Sequence, residues 1–407
     1  MGAVEVIPAP QVLASKTMKL NRRSLLSRLA TGVAASAMPA TLRAHAGGWG
    51  SAGHESGKIA ESGLLHLDRN ENAYGPSAKA LREVCESAKR IGRYPEGEEL
   101  RERVAAHHAE TSSALTKISA QEVVEGCGSS DVLRMAAEAF LGPRKGLIQG
   151  TPTCEVLSEF AGRMGVRVTR VPLRKDHAHD LNTMLREAQR PKAGGLVYIC
   201  NPNSPTGTLS PRQDLEGFLG KVPESFHVVM DEAYHHYAGG SGAYESFLDR
   251  PSRNPRVIVT RTFSAAYGLA GARVGYGVAS ADTAEKLLRC RLPFAVNASG
   301  TSAALAALGD QEYIARCVKR NFDDRQEFMN QVNARMLRAL DSHANFVCLN
   351  VMRPAGEILE HYRKNRVAVA PLIPSMPTYL RISLGRPEEM TEFWRVWDLL
   401  GSHPMSM

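Results

Sequence analysis

Residues 194–208 read GGLVYICNPNSPTGT, and residues 226–234 read FHVVMDEAY. Each contains a short apolar run rich in β-branched residues. One run breaks off at an Asn-Pro turn, the other at the acid Asp231. Apolar runs of this length without polar alternation suit strands covered on both faces, and so a largely parallel sheet with helices on either side. The same rhythm extends outward from about residue 120 to 280. EVVEGCGSSD leads into the helical VLRMAAEAFLG, and KGLIQG, EVLSEFAGRMG and VRVTRVPL follow. RVIVTRTFS and RVGYGVA come later. From about residue 301 a long helical periodicity takes over, and ANFVCLNV and YLRISLG add two strands with helices between and after. The fold class expected is α/β: a large domain (96–300) with a mostly parallel sheet, and a smaller α+β domain (301–407).

With 407 residues the chain has room for such a pair of domains. Its net charge of +8 is unevenly placed. Residues 1–46 hold Lys16, Lys19, Arg22, Arg23, Arg28 and Arg43 against Glu5 alone, which leaves +3 for the rest. No nucleic-acid partner is indicated. From the internal Met18 the sequence runs MKLNRRSLLSRLATGVAASAMPATLRAHA. Twin arginines, a weakly apolar stretch and Ala44-His45-Ala46 follow the layout of an export signal of twin-arginine type. This predicts a periplasmic protein, or a cytoplasmic one if the leader is not functional. Arg28 and the many alanines make the stretch a poor membrane span. Residues 47–66 read as a linker. Seven scattered cysteines, never in C-x-x-C spacing, point to no metal site and no disulfide framework.

Ligands of open α/β sheets gather at the carboxyl ends of the strands, and several motifs fall there. GCGSSD (126–131) joins a strand to a helix. It reads either as a cup of backbone N–H groups for an anion or as a Gly-Ser turn capped by Asp131. Asp231 suits a metal ligand, a cap or a partner for a cationic heterocycle. Tyr234 lies three residues on and could address the same ligand. NPNSPTG (201–207) is a turn-rich loop.

Seven motifs stand in one order from about Leu67 to Pro387: LDRNENAYGPS, RYPEG, GCGSSD, NPNSPTGT, MDEAYHHY, TRTFSAAYGLAGARVGYG and YLRISLG. The set resembles the fold-type I pyridoxal-phosphate enzymes, the class I/II aminotransferases, and most closely their histidinol-phosphate aminotransferase branch. The resemblance implies amino-group transfer between an amino acid, or related amine, and a 2-oxo acid. It also implies that residues 67–95 form a segment packing on the small domain. Asp231 would face the pyridine nitrogen and keep the ring an electron sink, and Tyr234 would bond the phenolic oxygen. The phosphate would be held by backbone groups of Ser129 and Ser130, with Thr262, Ser264 and the forked guanidinium of Arg273. Tyr94 would reach the partner's phosphate across a homodimer interface. Arg381 would clamp the substrate carboxylate, with Tyr74 and Asn345 bordering the pocket.

The departures are as informative. The family's Schiff-base lysine falls at Ala265, eight residues before Arg273, so the position is fixed by counting. Cys154 stands where an aromatic ring usually stacks on the cofactor. Ser204 replaces an asparagine that contacts the phenolic oxygen, with Asn203 or Asn201 nearby to compensate. In RVAVAPLIP, Ala370 takes the place of the arginine that holds the substrate's phosphate in the histidinol-phosphate branch. A methyl group at Ala265 neither bonds the cofactor nor shuttles a proton, and general acid–base help alone is worth about 10²–10⁴ in rate. Three readings stay open: a disabled or trapped aminotransferase, a lysine-less binder of the cofactor or its amine adduct, and another chemistry such as oxidation or decarboxylation on the same fold.

Overall fold

The computed structural model describes residues 63–95, 98–111, 117–190, 194–248 and 254–400. The export leader read at 1–46 and the linker up to residue 62 lie outside the described residues. The linker ends sooner than residue 66. Leu65–Leu67 form strand β1, paired in parallel with Val367–Val369. Alternation explains the difference: Leu65 and Leu67 are buried while His66 is exposed, a half-buried strand too short to announce itself.

The central sheet has seven strands: β2 (Val123–Cys127), β3 (Gly146–Thr151), β4 (Val168–Pro172), β5 (Gly195–Cys200), β6 (Phe226–Asp231), β7 (Val257–Thr262) and β8 (Val274–Val278). They lie in the order β2-β8-β7-β6-β5-β3-β4. All run parallel except β8, which is antiparallel to both of its neighbours. Burial on both faces is visible within single strands. On β5, Val197 and Ile199 join one core, while Leu196, Tyr198 and Cys200 join the other. Each aliphatic side chain so buried contributes roughly 1.5–3 kcal/mol of transfer free energy. The later residues form β9 (Arg338–Ala339), β10 (Phe346–Asn350), β11 (Val367–Val369) and β12 (Tyr379–Ser383). β12-β10-β9 is an antiparallel sheet, and β11 pairs with β1. A separate core that includes Leu67, Phe328, Tyr362 and Phe393 lies beneath them. The helix Gln311–Ala334 joins the two regions in sequence.

Two features of this frame position the site. The reversed strand β8 starts at the edge where the parallel strands end, with Thr262 opposite Gly275 and Cys127 opposite Val274. Arg273, the residue before β8, therefore lies beside the ends of β2 and β7. The second is a staple that ties residues 72–75 to the loop after β7 and to the helix Gln311–Ala334. Asn72 Nδ2 donates to the Ala266 carbonyl at 2.9 Å, and Tyr313 donates to Gly75 O. Gly268, with φ +68°, lies so close that a Cβ there would meet Gly75 O at 2.0 Å. Left-handed backbone and that contact together leave no room for a side chain. Gly268→Ala is expected to cost more than about 2 kcal/mol and to lower the thermal midpoint by a few degrees. An unchanged midpoint would show that the staple is slack.

Behind the end of β6 lies a group of histidines. His107 and His108 on the helix Glu99–Thr111 are buried, and His235 and His236 are half-buried in the MDEAYHHY turn. The two adjacent rings of His235 and His236 are 3.7 Å apart, and His108 Nε2 lies 3.0 Å from the Tyr276 hydroxyl. Burial depresses all four, and the Arg261 guanidinium adds to it. His107 falls to about 4, His108 to about 2, His236 to about 3 and His235 well below its ordinary value. Arg261 itself is held by Glu232 at 3.1 Å and Ser246 at 2.6 Å. The folded protein keeps these rings neutral, whereas the unfolded chain protonates them near pH 6.5. Stability is therefore full above that pH and falls as pH drops below it, by about 1.4 kcal/mol per pH unit for each ring that takes up a proton on unfolding. Urea midpoints at pH 7 and pH 5.5 check this, and equal midpoints would contradict it.

Candidate active site

At the carboxyl edge of the central sheet is a cavity of about 380 Å³. Ser129, Ser130, Cys154, Ser204, Asp231, Tyr234, Thr262, Ser264 and Arg273 all line it, together with Arg69, Glu71, Leu133, Val156, Cys200 and Ala233. Nine residues singled out from sequence, spread over about 145 positions, are thus brought to one place.

The anion end is built from three segments. The helix Ser129–Phe140 starts at Gly128 (φ 77°), which supplies no side-chain cap. The Asp131 carboxylate instead reaches back to the Cys127 N–H at 3.1 Å. It is thus a local cap, and Ser129 and Ser130, at a helix start whose first N–H groups have no partner within the helix, line the cavity. A Cβ on Gly128 would meet Arg273 Nη2 at 2.3 Å, so glycine is what lets the guanidinium lie against this turn. Arg273 holds a left-handed backbone (φ 57°) and spends Nη1 on the Ala270 carbonyl at 2.9 Å and Ser264 Oγ at 3.3 Å. Thr262 Oγ1 in turn accepts from the Ser264 N–H at 3.1 Å. A helix N-terminus, two hydroxyls and a guanidinium together form a receptor for a phosphate-sized anion.

Asp231 ends β6 and is 4 % exposed. Burial raises its pKa, and the Tyr198 hydroxyl, donating to Oδ2 at 2.7 Å, opposes that rise. Tyr198 was not singled out in the sequence. The signal was present in the alternation of LVYIC, which sets Tyr198 and Cys200 on one face of β5, with Cys200 in register with Asp231. Burial pushes the Cys154 thiol up to about 11 and the Tyr234 hydroxyl to about 12. The Arg381 charge works against the rise at Tyr234. Both groups are therefore neutral at ordinary pH. The Tyr234 hydroxyl accepts from Asn70 Nδ2 at 2.9 Å. Asn70 was also passed over, although it lies inside the LDRNENAYGPS motif.

Other expected site residues are not among those lining this cavity. Asn203 does not line the cavity. Its amide accepts from Thr153 at 2.7 Å and donates to Thr206 at 2.9 Å and to the Pro152 carbonyl at 3.1 Å. Asn201 is spent in the same way on Ser210, so neither compensates for Ser204. The Tyr74 hydroxyl donates to Asp324 at 2.8 Å, with Arg320 and Arg386 over its ring, which commits it outside the cavity. Arg381 donates from Nη2 to the Asp68 carbonyl at 2.5 Å and leaves a buried Nε with no partner. Asn345 donates to the carbonyls of Asn70 and Glu71 and leaves its buried Oδ1 unpartnered. Tyr94 is exposed and stacks on Phe294 at 4.1 Å. Ala265 is 3 % exposed and packs with Ala266 and Tyr237, beside Tyr234.

The family model described as aminotransferase class I and II matches residues 62–396. A histidinol-phosphate aminotransferase of Bacillus velezensis is 33% identical over 332 residues, which is 81% of this chain and 89% of the relative. Histidinol-phosphate aminotransferase 2 of Pseudomonas aeruginosa is 35% identical over 348 residues, 85% of this chain and 91% of its own. Among solved structures, the Sinorhizobium meliloti histidinol-phosphate aminotransferase in complex with pyridoxal-5'-phosphate superposes with a TM-score of 0.75 at 26% identity. That likeness covers 83% of this chain and 92% of the other.

Proposed function

The chain belongs to the class I and II aminotransferases, and from that premise we propose that it seats pyridoxal 5'-phosphate reversibly, without a covalent bond, and that its amino-group transfer is crippled by Ala265. The observation that carries this reading is the make-up of the cavity at the carboxyl edge of the sheet. Ser129, Ser130, Thr262, Ser264, Arg273 and Asp231 all line it, and among the described residues no lysine does.

The residues present fit the cofactor. The glycine turn that only a missing Cβ keeps open beside Arg273 suits a phosphate, and a buried carboxylate at Asp231 suits a protonated ring nitrogen. When bound, the cofactor supplies an electron sink for the bond to be broken at the substrate's α carbon. The rest falls to the chain. Arg273 and the helix start hold the phosphate and fix the ring's position. Tyr198 orients Asp231 and favours its ionised form. Tyr234, held by Asn70, offers a hydroxyl to the phenolic oxygen. Arg381, with an unpartnered Nε, takes the substrate carboxylate. The proton at the α carbon has no amine to receive it, because Ala265 presents a methyl group.

We propose an amino acid and a 2-oxo acid as the substrate pair. Ala370 is 2% exposed and offers no charge to a substrate phosphate, which argues against histidinol phosphate itself. We also propose a homodimer, supported by the exposed apolar side chains Ile91, Tyr94, Leu292 and Phe294. Sedimentation checks it: a stable monomer would remove the role given to Tyr94. The cofactor reading is tested by titrating the chain with pyridoxal phosphate and pyridoxamine phosphate. Saturable binding that dialysis reverses is the expected outcome. Binding that never saturates, or a covalent adduct, would sink it.

A further inference from the structure

A larger cavity, about 640 Å³, lies along the helix Gln311–Ala334. Val318, Phe322, Arg325 and Met329 recur at helical spacing and line it from one helix face. Tyr237 and the turn Ser342-His343 close it on other sides. Its volume falls in the range of sites for small organic ligands, which pair an apolar lining with a few placed polar groups.

Arg325 sets its chemistry. The guanidinium is half-buried, and Nη1 donates to the Ala344 carbonyl at 3.1 Å. Among the described residues no carboxylate lies within ion-pair reach of it. Burial lowers its pKa, and Asp341 offsets that only in part. Asp341 is 91 % exposed and lies 3.5 Å from His343 Nε2, while Lys319, also on the lining, is paired with Asp323 at 2.7 Å. A guanidinium withdrawn from water without a counter-charge is costly unless an anion meets it. Beside it Phe322 stays 57 % exposed, with the Arg325 guanidinium 5.8 Å from its ring centre. We infer that this cavity is a binding site for a small organic anion, a carboxylate or sulfonate on a flat apolar body, with Arg325 forking onto the anion and Val318, Phe322 and Met329 covering the body. The site is separate from the cofactor cavity, and its existence does not depend on the cofactor reading.

The aromatic sulfonate 8-anilinonaphthalene-1-sulfonate is the probe, followed by fluorescence and calorimetry on the whole chain. One molecule per chain is expected. Arg325→Met should weaken binding about tenfold or more, the size of one lost charge-assisted pair. Arg320→Met, on the same helix but stacked on Tyr74 outside the cavity, should leave it unchanged. Ala315 is an exposed lining residue, so Ala315→Trp blocks the entrance without touching Arg325 and decides the matter if Arg325→Met does not fold. Affinity within twofold of the parent in a folded Arg325→Met, equal weakening by Arg320→Met, or undiminished binding to Ala315→Trp each overturns the site.

Discussion

Replacing Ala265 by lysine is expected to turn a reversible complex with pyridoxal phosphate into a covalent one that borohydride fixes to the chain. Mass spectrometry of the reduced protein reads this directly: the parent stays unlabelled, and Ala265→Lys carries one cofactor at residue 265. Amino-group transfer to a 2-oxo acid should rise by at least about 10²–10⁴, the share of general acid–base assistance alone. The surroundings favour delivery of the new amine. Ala265 is held in place by a bond from the Gly268 N–H to its carbonyl at 2.9 Å and by Asn72 on the next carbonyl. Tyr234, its packing neighbour, lines the cofactor cavity. The added methylenes enter a packed spot and should cost about 1–3 kcal/mol without cofactor, a loss that saturating cofactor should reverse. A variant that binds cofactor yet never labels would show that residue 265 does not face the reacting carbon.

The second large effect is expected at Arg273. Arg273→Gln removes the only charged side chain among the anion-holding residues while keeping a residue that tolerates the same left-handed backbone no worse than arginine does. Truncating one partner of a desolvated charged pair typically costs about 2–5 kcal/mol, so affinity for pyridoxal phosphate should fall by about 10²-fold. Pyridoxal, which lacks the phosphate, should bind parent and variant alike. That contrast separates a lost anion contact from a damaged cavity. Equal losses for both ligands would mean that Arg273 acts by shaping the loop rather than by holding phosphate.

The sheet was readable because strands buried on both faces carry uninterrupted apolar runs, and the motifs at their ends carry turns and acids. β1 was not, since three residues of alternation look like linker. The direction of β8 was not either: RVGYGVA reads the same whichever way the strand runs. For the site, type and position in a motif were enough to bring Ser129, Arg273 and Asp231 to one cavity, because each stands at the end of a strand or helix that the apolar pattern marks. They were not enough for Asn203 and Tyr74. Those amide and hydroxyl groups had several partners within reach, and the fold gave them neighbours on the loop and on the helix Gln311–Ala334. Asn70 and Tyr198 were missed for the converse reason. Their partners Tyr234 and Asp231 lie 164 and 33 residues away, and only the tertiary structure brings them together.

The reversal of β8 also dictates an order of assembly. The glycine turn at residues 128–130 is synthesised early, yet its guanidinium arrives about 140 residues later. It comes into place only when β8 slots between β2 and β7, joining the edge strand β2 to the other five strands of the sheet. A nascent or truncated chain ending before β8 therefore has half a receptor and should ignore phosphate. Ligand capture becomes a timer for the last step of sheet closure.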